Sequence, residues 1–458
     1  MFSNSFLRTA PRRAAPHLRG SARDVALHVV RDVFSEQARG AQQALDYRLQ
    51  QSALDARDRA FATMLAFGAI KMRRTLDWYL QPYVGDRAKP LPPAISEIVR
   101  MAVYELRFTS AQHHAAVSEW VNLAKIYGHR GTAGLVNAVL RGFLRNNPAP
   151  PQPQDFANED DYLGAAFSYP TWLVRRLRET FGDGAVQQIL EACNAPAQIA
   201  VTVNRARTNR DAVAQWFTER GAQARSSEIA QDALIVSDGA LARASEAHAS
   251  GGWWLQSESS SLVADVVNAQ PGEAVADVCS GRGSKALQTA ARLNGDGTLI
   301  CIEKDARKGA ALERRAREAE LSLVLIVGDA TAPILRQRFD RILIDAPCSG
   351  IGVIGRHPEA RWRKRPEDGE RLAITQRALL EALVPHVYEG GAIVYAVCSV
   401  DKRETIEVID WFVRTHNVQR GLIPAQLSEF ETEAGDVLVP PGLEGRDGFF
   451  VARLERRL

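Results

Sequence analysis

The chain has 458 residues, 46% hydrophobic and 24% charged, which is too long for one hydrophobic core and too ordinary in composition for a fibrous or disordered protein. No apolar run reaches the roughly 20 residues that span a bilayer, and five scattered cysteines without a CxxC pair argue against a disulfide scaffold or a zinc site. Net charge is +3 but uneven: 21 Lys/Arg face 11 Asp/Glu through residue 147, a net of +10, and 36 face 43 afterwards, a net of −7. Such a basic front suggests a nucleic-acid-binding module attached to something else; on charge alone, an ordinary basic helical domain is an equal reading.

Residues 1–21 begin MFSNSFLRTAPRRAAPHLRG, with four arginines and no acid. The composition mimics a transit peptide but lacks the apolar core of a secretory signal. Pro11, Pro16 and Gly20 break up a helix, so a flexible basic arm is expected. From 22 to 146 the pattern is helical: VALHVVRDVF and RAFATMLAFGAI repeat apolar residues at i, i+3, i+4. HHAAVSEWVNLAKIYG and GTAGLVNAVLRGFLRN predict two more amphipathic helices, the second opened by a Gly-Thr turn. Residues 147–165, rich in Pro, Asn and acid, read as a linker. The span 166–258 predicts a small α+β module, with a helix in YPTWLVRRLRETFG and a strand in AQIAVTVN.

From 259 to 458 strand and helix patterns alternate. AVADVCS, TLICIEK, LVLIVGD, FDRILIDAP and AIVYAVCS are five apolar, β-rich segments separated by helical stretches, the pattern of a parallel, doubly wound α/β sheet.

The first of these segments runs into SGRGSKALQTAARL, a strand, tight turn and helix. Gly281 and Gly283 allow a ligand to approach the main chain and the helix N-terminus. Glu303 ends the second strand, where an acid can accept hydrogen bonds from two ribose hydroxyls. Asp329 ends the third, within reach of an adenine amine. The turn lacks the third glycine of a dinucleotide fingerprint, and Lys285 is followed by Ala286, which excludes a phosphate-binding loop of the GxxxxGK[ST] type. Glycine turn, acid and Gly-Asp in succession suggest S-adenosyl-L-methionine, with NAD as the second choice.

Cys193 and Cys301 read as small buried hydrophobes, and Cys279 as a residue packed in the glycine turn. Cys348 and Cys398 differ, because each falls at the C-terminal end of a predicted strand, where open α/β sheets bind ligands. Each is followed by serine. Methylation of carbon 5 of a pyrimidine needs such a thiol: a thiolate added to carbon 6 makes carbon 5 nucleophilic. A carboxyl group near ring nitrogen 3 stabilises the developing charge, and Asp345, three residues before Cys348, is placed for it.

These motifs resemble the bacterial RNA cytosine-C5 methyltransferases of the RsmB (Sun/Fmu) type. The resemblance covers nearly the whole chain. HHAAVSEWVNLAK and GLVNAVLRGFLRN are similar to blocks of the NusB-like RNA-binding domain at the front of those enzymes. LQSESSSLVADVV is similar to the segment leading into the catalytic domain, and DAPCSGIGVIGRHPEARW, YAVCSV and GRDGFFVARL match three signature blocks. The family's turn reads CAAPGGKT where this chain has CSGRGSKA; Val397 replaces the usual Thr before the nucleophile, and Thr405 the usual Asn.

The resemblance implies an all-α NusB-like domain, a small α+β module and a Rossmann-like class I methyltransferase domain. It implies Cys398 as nucleophile, Cys348 as the residue promoting product release, and Asp345 as the group holding the base. It places the methyl donor against Asp277, Cys279, Ser280, Gly281, Gly283, Lys285, Glu303, Asp329, Asp345 and Pro347, and His357, Pro358 and Arg361 on the RNA side. Its favoured substrate is 16S ribosomal RNA at a cytosine-967-type site. A transfer-RNA or other RNA C5 methyltransferase, and a non-catalytic NusB-like RNA-binding factor, remain alternatives. The expected protein is a cytoplasmic monomer without metal or membrane partner.

Overall fold

The computed structural model describes residues 20–36, 39–85, 90–237, 251–332 and 335–457. The basic arm expected over 1–21 lies, up to residue 19, outside the described residues. The chain divides into two compact units, Met1–Pro150 and Pro151–Leu458.

The first unit is helical, with helices Ala22–Val33, Ala41–Gln50, Ala56–Lys71, Arg73–Val84, Pro93–Phe108, His113–Tyr127 and Arg130–Asn146. Helix Pro93–Phe108 runs through the core and buries Ile95, Ile98, Val99, Ala102 and Leu106. Its Glu105, fully buried, is neutralised by Arg23 and receives a 2.8 Å hydrogen bond from Trp120 Nε1. Arg73 and Arg100 pair with Glu97 in the same way, so part of the basic excess is structural. Arg57, Lys125, Arg130, Arg141 and Arg145 are exposed. The last helix does not open on a Gly-Thr turn. His129 is its cap, with Nδ1 accepting from Gly131 N, and Thr132 Oγ1 accepting from His129 N at 2.8 Å; Gly131 and Thr132 lie inside its first turn. The physical reason is that a side chain able to accept from the free N–H groups sets a helix start.

The second unit opens with helices Glu159–Phe167, Thr171–Phe181 and Asp183–Ala192. The first lies partly within the stretch read as a linker: Asn158 accepts from Asp161 N, and three acids fill the first turn, where they favour the positive end of the helix dipole. A four-stranded antiparallel sheet follows, ordered β2-β3-β1-β4, from β1 (Ile199–Val203), β2 (Ala224–Ser226), β3 (Ala233–Val236) and β4 (Trp253–Leu255). Helix Arg210–Glu219 covers it through Phe217, which meets Trp253.

The larger sheet contains β5 (Ala274–Val278), β6 (Thr298–Glu303), β7 (Val324–Val327), β8 (Phe339–Asp345), β9 (Val387–Val397), β10 (Val418–Arg420), β11 (Val437–Val439) and β12 (Phe449–Arg456). Its order is β10-β12-β9-β8-β5-β6-β7, with β11 paired to β12. The five expected segments are the parallel strands β5 to β9. β12 enters antiparallel between β9 and β10; the three-residue strands β10 and β11 carry too little periodicity to read from sequence. Both faces are buried, one by a cluster including Leu262, Leu293, Leu312 and Val394, the other by Ile344, Leu380, Tyr395 and Phe412. Each such side chain contributes roughly 1.5–3 kcal/mol on burial. The chain passes from β7 back across β5 to β8, so the strand order reverses there. The crevice at the carboxyl ends of β5 and β8 is therefore where such a sheet binds ligands.

Candidate active site

The turn after β5 is built from left-handed backbone. Cys279, Gly281 and Gly283 have φ of 62°, 58° and 87°. A Cβ on Gly283 would lie 2.0 Å from Leu312 Cδ1, so only glycine lets helix Ser284–Leu293 start this close to helix Ala306–Glu318. Glu303, at the end of β6, reaches back to the turn: Oε2 accepts from Gly281 N at 2.7 Å and Oε1 from Asp305 N at 2.8 Å. Beyond β7, Asp329 accepts from Lys304 Nζ at 2.7 Å and from Thr331 N and Oγ1. The Lys304 bond first, then the Thr331 bonds, hold its pKa down at about 2.

A cavity of about 650 Å³ lies along these strand ends. Cys279, Gly281, Glu303, Asp329, Asp345 and Pro347 line it, and Ile374 and Leu379 supply an apolar wall. Four residues expected around the same ligand stand outside that lining: Asp277, Ser280, Gly283 and Lys285. Ser280 Oγ donates to the carbonyl of Asp277 at 2.7 Å and so closes the turn. Asp277 is 1% exposed and neither carboxyl oxygen has a hydrogen-bond partner. Burial, and then the charge of Asp345, push its pKa to about 7. Burial likewise pushes the Cys279 thiol to about 12, which keeps it protonated and inert. Cys193 and Cys301 are buried core residues, as expected.

The two remaining thiols meet. β8 and β9 run in parallel, with Ile344 opposite Tyr395 and Asp345 opposite Ala396. This register brings Cys348 Sγ to 3.3 Å from Cys398 Sγ. The contact with Cys348 lowers the Cys398 pKa, and the Lys285 ammonium acts in the same sense against burial and Asp345. Cys348 moves the other way, raised by the same contact, by burial and by the charge of Glu404. Lys285 Nζ donates to Asp345 Oδ2 at 2.8 Å and sits 5.1 Å from the Phe449 ring centroid. Burial opposes its charge, but Asp345, Cys398 and Asp277 together outweigh burial and hold its pKa above the ordinary value. One cation thus joins the glycine-turn helix, the β8 carboxylate and the lower-pKa thiol.

Sequence reasoning missed what stands behind the thiols. Glu404, fully buried, accepts from Ser349 N, Ser399 Oγ and Gln376 Nε2. The only signal was the serine after each cysteine. Gly352 N donates to the Cys398 carbonyl at 3.1 Å, and a Cβ on Gly352 would lie 2.1 Å from Gly448 O. His357 is about half exposed. Arg361 is fully buried rather than facing outward. Its guanidinium stacks on Tyr169 at 3.8 Å and donates to Asn194 Oδ1 and the Cys193 carbonyl, bracing the helices of 159–192 against the strand-end loop. Among the described residues no group of three or more His, Cys, Asp and Glu is arranged to hold a metal, and no helix is long and apolar enough to cross a membrane.

A reversed parallel sheet with a glycine turn, an acid at each of two neighbouring strand ends and an added antiparallel strand defines a Rossmann-like methyltransferase domain. Solved structures share the fold. The protein PH0851 superposes with a TM-score of 0.80 at 24% identity, covering 94% of this chain and 97% of that one. A methyltransferase homolog protein from Pyrococcus horikoshii superposes at 0.58 with 22% identity, covering 66% of this chain and 100% of that one.

Three family models match: "16S rRNA methyltransferase RsmB/F" over residues 264–455, "NusB family" over 20–145, and an RsmF/B-like ferredoxin-like domain over 169–241. The ribosomal RNA small subunit methyltransferase B of Yersinia pseudotuberculosis is 30% identical over 88% of this chain and 91% of its own length. The "Probable ribosomal RNA small subunit methyltransferase B" of Synechocystis sp. is 30% identical over 95% of this chain and 99% of its own. The chain belongs to the ribosomal RNA small subunit methyltransferase B family.

Proposed function

We propose that this chain transfers a methyl group from S-adenosylmethionine to carbon 5 of a cytosine in small-subunit ribosomal RNA, through a transient bond between Cys398 and the base. The observation that carries the reading is the meeting of two thiols, 3.3 Å apart, beside a carboxylate paired to a mostly buried lysine. An N-methyltransferase has no use for a thiol pair; carbon 5 has, because it reacts only once carbon 6 carries a nucleophile.

The residues of the cavity fit the methyl donor. Its size suits a nucleoside, Gly281 brings bare main chain to the wall, and Glu303 and Asp329 present carboxylates where ribose hydroxyls and an adenine amine would be recognised. When bound, the donor supplies an electrophilic methyl group. The chain's residues do the rest. The Cys398 thiolate, favoured by Lys285, adds to carbon 6. Asp345 faces ring nitrogen 3, and the Lys285 ammonium held against it offsets the negative charge that develops there. After methylation solvent water takes the proton on carbon 5, its electron pair re-forms the 5,6 double bond, the carbon 6–sulfur bond breaks, and Cys398 departs as thiolate. Cys348, held protonated beside it, is placed to assist that release. The exposed basic residues of the first unit would supply phosphate contacts. The target base must be unpaired or flipped, which costs a few kcal/mol.

Bisulfite sequencing of ribosomal and transfer RNA from a strain lacking this protein tests the assignment. Loss of one 5-methylcytosine in small-subunit RNA, restored by the wild-type gene, is expected. Loss confined to transfer RNA would move the substrate; no loss anywhere would overturn the C5 reading.

A further inference from the structure

Glu404 touches neither the cavity nor the thiols, yet it is bonded to both cysteine strand ends. Its Oε1 accepts from Ser349 N at 2.8 Å and Gln376 Nε2 at 3.1 Å, and its Oε2 accepts from Ser399 Oγ at 2.7 Å and from Ser349 Oγ. Ser349 Oγ and Ser399 Oγ are themselves 3.0 Å apart. Gln376 also donates to the Pro347 carbonyl at 2.9 Å. The main chain of Glu404 is anchored too, its carbonyl accepting from Tyr395 OH at 2.6 Å. Ser349 follows Cys348 and Ser399 follows Cys398, so one carboxylate clamps the residue after each thiol.

Packing alone does not need this arrangement. A buried carboxylate is costly, and an apolar side chain of similar volume is often no worse for stability. What a carboxylate adds is direction: two acceptor oxygens, each with fixed lone pairs, hold several donors in one geometry. We propose that Glu404 is a positioning residue whose carboxylate, through Ser349 and Ser399, sets the separation and direction of the Cys348 and Cys398 thiols. The proposal rests on the reading of these thiols as the attacking and releasing groups. In that chemistry Cys348 must stay beside the Cys398 sulfur while that sulfur sits over carbon 6, so a displacement of the strand ends lowers the rate steeply.

The test uses the full chain and a probe that needs no RNA. Phenylarsine oxide bridges two thiols only when both reach one arsenic atom: two S–H bonds break, two As–S bonds form, and the oxide oxygen leaves as water. Bridging is followed by mass and by counting the thiols left in the denatured protein, with Cys398→Ala as background. Wild type should take up one arsenic. Glu404→Gln should bridge roughly tenfold more slowly or worse, and Ser399→Ala should fall between. Alkylation of the lone Cys398 by iodoacetamide should be the same in Cys348→Ala and in Cys348→Ala/Glu404→Gln, since positioning concerns the pair. In methylation assays Glu404→Gln should lower kcat and leave the KM for the donor unchanged. Wild-type bridging rates in both Glu404→Gln and Ser399→Ala would overturn the proposal, as would a slowing matched by equal slowing of Cys398 alkylation. If Glu404→Gln fails to fold, Ser399→Ala decides by itself. Normal bridging in a wild-type protein that leaves cytosine unmethylated would instead overturn the reading of the reaction and keep the clamp.

Discussion

Lys285 Nζ lies 2.8 Å from Asp345 Oδ2 and joins the helix after the glycine turn to the end of β8. The pair spans the cavity and the thiols: Asp345 lines the cavity, while the charge of Lys285 lowers the pKa of Cys398. Replacing Lys285 with methionine should leave Asp345 without its partner and destabilise the fold by roughly 1–3 kcal/mol. Losing the ammonium should also raise the Cys398 pKa. The acid limb of the pH–rate profile should therefore move to higher pH, and iodoacetamide alkylation of Cys398 should shift in parallel. An unmoved profile would separate Lys285 from the thiolate.

The two thiols should have separable effects. Cys348→Ala should accumulate a protein–RNA adduct that survives denaturing electrophoresis, because attack proceeds and release is impaired. Cys398→Ala should form neither adduct nor product, and the double variant should behave like it. Adduct in Cys398→Ala and none in Cys348→Ala would reverse the roles.

Glu303 should matter twice, for the ligand and for the turn. Glu303→Gln keeps one oxygen acceptor but sets an amide nitrogen against a backbone N–H, either Gly281 or Asp305. Donor binding should weaken by roughly 1–3 kcal/mol, read by titration calorimetry on protein shown to be folded.

Asp277 should make stability fall as pH rises. Its folded pKa of about 7 lies well above the unfolded value of about 3.9. Between these values the unfolded chain loses the proton while the fold keeps it, so the contribution of Asp277 is greatest below pH 4 and is lost as pH rises through 7. The contribution is on the order of 4 kcal/mol. Asp277→Asn should flatten this part of the curve, checked by urea denaturation at pH 5 and pH 8. Equal slopes in both proteins would show that Asp277 is ionised in the fold.

The first unit should carry much of the RNA affinity. With a net charge of +10 through residue 147, its removal should weaken RNA binding and flatten the dependence on salt, because fewer phosphate counterions are released. Donor binding by residues 151–458 should persist. Unchanged affinity and slope would assign the unit another purpose.

Several of these features were legible in sequence because they are local. A run such as FDRILI or AIVYAV declares a buried parallel strand by composition, since both of its faces are covered. Gly281 and Gly283 announce a tight turn, and Glu303 and Asp329 are found by counting to the next strand ends. The DAPC and YAVCS blocks could be placed at strand ends for the same reason. By contrast, His129 took the helix start from Gly131 and Thr132, because capping depends on which side chain can accept from a free N–H.

Hydrophobic pattern and charge within short windows are enough to locate the five parallel strands, the acids and thiols that end them, and the basic helical front. Which strand ends become neighbours depends on long-range pairing. Cys348 and Cys398 lie 50 positions apart and meet because β8 and β9 pair in one register, with helix Asp368–Leu383 packed between them in sequence. Parallel register is a long-range property with no periodic trace in the chain. The same holds for burial of charge: Arg361, placed on the RNA side by resemblance, lies in the core; Asp277, expected against the methyl donor, stands unpartnered behind the turn; and Glu404, which no sequence pattern singled out, joins the two serines. Local sequence sets what a residue offers; desolvation and partners, which fix its charge and role, exist only once distant segments pack.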